Sequence, residues 1–62
     1  MITDEFKEWE VKNINALRAE VKQRNGTIVS MYRAVDGFIR VRVQVGKRRE
    51  LYKVNEWKAD KI

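Results

Sequence analysis

Seven cations and one aromatic ring carry the concentrated chemistry of this sequence. Arg33, Arg40, Arg42, Lys47, Arg48, Arg49 and Lys53 fall between positions 33 and 53, with Phe38 among them. Guanidinium forks match the geometry of phosphates, and aromatic or apolar groups stack on or contact bases. Gly46-Lys47-Arg48-Arg49 sets three successive cations beside a turn glycine, an arrangement suited to a phosphate contact. The chemistry indicated is recognition of a polyanion. A solvated strand face kept soluble by charge has the same pattern, so the cations by themselves do not separate the two.

Bond-making chemistry finds no support. The chain has no His and no Cys, which removes the usual general base, the usual thiol nucleophile and the commonest metal ligands. The hydroxyls of Thr3, Thr27, Ser30, Tyr32 and Tyr52 are scattered, and none neighbours an obvious base. Asp4, Glu5 and Glu8 cluster where a helix begins, which reads as a complement to its dipole. The three glycines are too far apart for a phosphate-cradling loop. A non-enzymatic protein with no cofactor and no metal is expected.

The elements that must position the cations follow from periodicity. Phe38 to Val45, FIRVRVQV, alternates strictly: Ile39, Val41, Val43 and Val45 point one way, Arg40, Arg42 and Gln44 the other. Arg48 to Val54 folds back across Gly46-Lys47 as a second strand. Thr27 to Ala34 is rich in β-branched and aromatic residues and predicts a preceding strand, joined through Asp36-Gly37 as a two-residue type I′ turn. Upstream, Thr3 is a candidate N-cap. Ile2, Phe6, Trp9, Asn13, Ile14, Leu17 and Val21 make one helical stripe that ends at Asn25-Gly26, with Glu10 intruding. Glu8–Lys12 and Glu20–Arg24 have favourable i,i+4 spacing. Asn55 would cap a short last helix, EWKADKI, with Trp57 and Ile62 anchoring it.

These turns imply a register. One sheet face should carry Ile28, Ser30, Tyr32, Ala34, Ile39, Val41, Val43, Val45, Tyr52 and Val54 beneath the helix. The other should carry Val29, Met31, Arg33, Phe38, Arg40, Arg42, Gln44, Arg49, Leu51 and Lys53. The expected fold is α+β: an N-terminal helix packed on one face of a three-stranded antiparallel meander, α-β-β-β, with a short C-terminal helix. That element order is shared with double-stranded-RNA-binding domains. The lysine-rich motif that opens their second helix has no counterpart in Asn55-Glu56-Trp57-Lys58-Ala59, so the likeness transfers no sites.

Sixty-two residues give one small domain, 1–62, with room for one core. The net charge of +5 is uneven: residues 1–24 balance, whereas residues 25–62 hold nine cations against four carboxylates. Such asymmetry argues for an anionic partner. No run of about 18 apolar residues exists to span a membrane, and the acidic start is unlike a secretory signal. A cytoplasmic protein without a membrane partner is expected. The function expected is that of a small basic nucleic-acid-binding accessory protein, of the kind found in phages or other mobile elements. Arg33, Phe38, Arg40, Arg42, Lys47, Arg48, Arg49 and Lys53 would contact DNA or RNA. The alternative is a protein-interaction module or inhibitor that docks on an acidic partner through Phe38, Met31 and Leu51. Strand 27–34 or the outer face offers a route to a homodimer.

Overall fold

The computed structural model describes residues 6–62. Thr3 as N-cap, Ile2 on the stripe and the Asp4-Glu5 pair lie outside the described residues. Helix α1 spans Glu8–Gln23 and is followed by strands β1 (Gly26–Arg33), β2 (Ile39–Val45), β3 (Arg48–Val54) and β4 (Ala59–Lys61). The strands form one antiparallel sheet in the order β1-β2-β3-β4.

The helix forms where the apolar stripe has period 3.6. Ile14, Leu17 and Val21 are buried against Ile39, Val41, Val43, Tyr52 and Val54, and these eight make the core. Each fully buried aliphatic side chain contributes about 1.5–3 kcal/mol, so this packing, rather than propensity, holds the helix. Phe6, Trp9, Ile28, Met31, Val45 and Ala59 close its margin. Lys7 occupies the N-cap and has no acceptor to offer; its backbone N–H donates to Glu10 Oε1 at 2.8 Å. At the other end Asn25 takes the left-handed conformation, φ 60°. Gly26 is needed for space: a Cβ there would stand 2.7 Å from Val45 Cγ2 and 3.0 Å from Gln44 O and Val21 Cγ1.

Two turns decide the faces. Gly46-Lys47 is the expected two-residue turn, pairing Val45 with Arg48 and Val41 with Tyr52. Gly46 has φ 61° and Lys47 has no positive φ, the signature of type II′. The first hairpin differs from expectation. Ala34 donates to Phe38 O, and Gly37 donates back to Ala34 O, both at 2.9 Å, so Val35-Asp36-Gly37 is a three-residue loop. Type I′ needs two positive φ values, and here Gly37 alone has one (89°). The extra residue shifts the register by one, setting Met31 opposite Val41 and Tyr32 opposite Arg40. A one-residue shift moves side chains to the other face. Met31 and Arg33 therefore lie on the helix side, and Ser30 and Tyr32 lie outside. A bulge at Val29, between the Ile28–Val43 and Ser30–Arg42 pairs, returns Ile28 to the core side.

The C-terminal segment is a fourth strand and not a short helix. Ala59, Asp60 and Lys61 pair with Val54, Lys53 and Tyr52, and Ile62 N–H donates to Leu51 O at 2.8 Å. Seven residues are too few for an isolated helix, whereas pairing satisfies the backbone groups along the β3 edge. Asn55 closes the connecting turn, its N–H donating to Lys58 O at 2.8 Å, and its carbonyl receives the Asn13 amide at 2.7 Å. Trp57 stands at the tip of this loop, 86% exposed, where an anchoring role was expected.

Candidate nucleic-acid interface

The sheet face turned away from α1 carries its side chains in three rows set by the ladder. Thr27, Gln44 and Arg49 form the first, Ser30, Arg42 and Leu51 the second, and Tyr32, Arg40, Lys53 and Asp60 the third. Arg40 thus stands directly opposite Lys53, and like charges across a ladder are destabilising. Asp36, in the β1–β2 loop, offsets this by pairing with Arg40 Nη2 at 2.7 Å. The Arg40 guanidinium and the Phe38 N–H hold the Asp36 carboxyl below the usual carboxylate range. Arg40 is consequently packed down, its side chain 17% exposed.

The other outer-face cations stand freer. Arg42, Lys47, Arg49 and Lys53 form no ion pair among the described residues. The Arg42 guanidinium lies 5.4 Å from the Tyr32 ring centre, and the Lys53 ammonium lies 4.5 Å from that of Phe38. Each ring is therefore joined to a cation by a cation–π contact. Phe38 also meets Trp9 with ring centres 6.4 Å apart. Arg49 Nε donates to Gln44 Oε1 at 2.9 Å, and Gln44 Nε2 donates to Gly46 O, which ties the arginine to the β2–β3 turn. Two buried polar atoms on this face, Ser30 Oγ and Arg40 Nη1, have no hydrogen-bond partner among the described residues.

Of the eight residues expected to form a contact surface, the sheet gathers Phe38, Arg40, Arg42, Arg49 and Lys53 on one side, with Lys47 exposed at its tip. Arg33 is on the opposite side. Its guanidinium grips Glu10 through Nη1–Oε2 at 2.8 Å and Nη2–Oε1 at 3.0 Å, and Nη1 also donates to Gly37 O. Glu10 is fully buried, and Arg33 holds its carboxyl below the usual range against the opposing effect of burial. The acidic intruder in the helix stripe thus has a partner 23 residues away. Arg48 also faces the helix side, with Nη2 3.6 Å from Glu50 Oε2.

Glu50 anchors a network that residue spacing did not reveal. Arg24 binds it at 3.0 and 2.8 Å, Tyr52 Oη donates to Oε1 at 2.9 Å, and Lys61 Nζ is 3.5 Å from Oε2. Arg24 and Tyr52 together hold the Glu50 carboxyl down at about 2. Burial and the Glu50 carboxylate push the Tyr52 phenol up. Arg24, expected to pair with Glu20 along the helix, instead clamps α1 to β3.

Tyr32 is the functional candidate that sequence reasoning placed in the core. The signal that could have found it is the Asp36-Gly37 pair, which serves a three-residue loop as readily as a two-residue turn. Among the described residues no helix is long and apolar enough to cross a membrane. Compared with known proteins, the chain matches no family model, no curated protein and no solved structure.

Proposed function

We propose that the outer sheet face binds nucleic acid, and that the protein is a small non-enzymatic accessory factor. One observation carries this reading: Arg42, Arg49 and Lys53 share the face turned away from α1 with Tyr32 and Phe38, Lys47 extends it, and Arg40 lies among them paired with Asp36. Cations that track a backbone, interleaved with rings, are what strand-binding surfaces use.

A salt titration of probe binding tests the reading. Arg42, Lys47, Arg49 and Lys53, four cations without an ion pair among the described residues, each meeting one phosphate, predict a log–log slope of about −3 on single strands. Affinity should then fall about 50-fold between roughly 50 and 200 mM salt. Arg42→Ala with Arg49→Ala should halve the slope and leave the fold intact, because both side chains point to solvent. Absence of binding at low salt, or a slope unchanged in the double variant, refutes the reading.

Docking on an acidic protein surface is the second reading. It loses Met31, which packs under the helix, and draws instead on Trp57, an exposed residue of a type enriched among interface anchors. It replaces the first if low-salt probes show no shift. A homodimer through β1 belongs with either reading and is checked by sizing. The bulge at Val29 works against it, since a bulged edge pairs poorly.

A further inference from the structure

The outer face is not uniformly cationic. Val29, pushed out by the bulge, and Leu51 form an apolar floor, with Arg42 and Arg49 standing as its walls. The cleft they line has a volume of about 260 Å³ and is open to solvent. It is smaller than the roughly 300–1,000 Å³ that encloses a whole drug-sized ligand, so it fits one ring system and not a larger molecule. Ser30, on the same cross-strand row as Arg42 and Leu51, lies beside the cleft and does not line it.

We infer that this cleft takes one unpaired base of a single-stranded nucleic acid, a reading that rests on the proposed function and narrows it. The base lies on Leu51 and Val29, between the two arginines. The phosphates on either side meet Arg42 and Arg49. Bases held inside a duplex cannot reach an apolar floor set between two arginines, so the cleft selects single strands. The bulge is what makes the site: without the extra residue, Val29 would fall on the helix side and the floor would lose half its apolar surface.

Fluorescence anisotropy with labelled oligouridylate, oligothymidylate and a duplex of equal length tests the inference, using the parent chain, Leu51→Ala and Val29→Ser. The parent should bind both single strands more tightly than the duplex. Each variant should weaken single-strand binding about fourfold, the equivalent of roughly one buried methylene lost from the apolar floor. Duplex binding and the salt slope should stay unchanged, because no charge is altered. Val29 is exposed, so Val29→Ser keeps the test open if Leu51→Ala melts early. If the parent binds duplex as tightly as single strands, or both variants match the parent, the cleft is not a base site while the cationic face stands. If the parent binds no probe at low salt, the proposed function fails and the cleft with it.

Discussion

Replacing Arg33 with Ala separates the two sheet faces more sharply than any other single change. On the helix side, Arg33 makes a two-bonded ion pair with a carboxylate that solvent does not reach, and its loss leaves Glu10 buried with only the Lys7 N–H. Breaking a buried pair by removing one partner costs about 3–5 kcal/mol. Arg33 is itself 37% exposed, and water entering its place reduces the figure to about 2–3 kcal/mol. A chain of this length has a total stability of roughly 3–9 kcal/mol, so the loss is a large share of it. At about 4–8 °C per kcal/mol for small domains, the melting midpoint should fall by roughly 10–20 °C. Thermal melts followed by circular dichroism read this directly. Arg33→Leu combined with Glu10→Leu should recover most of the loss, because a matched apolar pair leaves no charge behind. Below the melt, Arg33→Ala should bind probes as the parent does, since Arg33 is absent from the outer face. A midpoint within about 2 °C of the parent, together with weakened binding, would refute the register and return Arg33 to the cationic face.

Acid should unfold the domain through its held carboxylates. Glu50 is held at about 2 when folded and has an ordinary carboxylate value when unfolded, so its contribution is complete above about 5 and drains as pH falls toward 2. Glu10 is lowered as well and adds to the same acid limb. Urea midpoints measured across that window should decline steadily, and Glu50→Gln should flatten the decline; an unchanged slope would contradict the Arg24–Glu50–Tyr52 network. Asp36→Asn should tighten probe binding, because it frees Arg40 from its partner on the outer face. A steeper salt dependence in that variant is the signature, and weaker binding would contradict it.

The alternation of Arg40, Arg42 and Gln44 against Ile39, Val41 and Val43 settles the two faces of the central strand from sequence, because period 2 is a property of the extended backbone. The helix stripe of Ile14, Leu17 and Val21 is equally local, and so is the Gly46-Lys47 turn. What sequence could not settle is how β1 and the C-terminal segment attach to that strand. A three-residue loop and a bulge each shift side chains between faces, and both depend on which pairing buries Met31 and Ile28 beneath α1. Ala59–Lys61 become a strand because β3 has an edge to be paired, a fact about the sheet and not about EWKADKI. Glu10 with Arg33 and Arg24 with Glu50 lie 23 and 26 residues apart, and only the packed fold brings them within reach. Local periodicity thus determined which strand displays the arginines, while tertiary pairing decided which neighbours share their face, because a ladder's register is fixed by burial on both sides of the sheet at once.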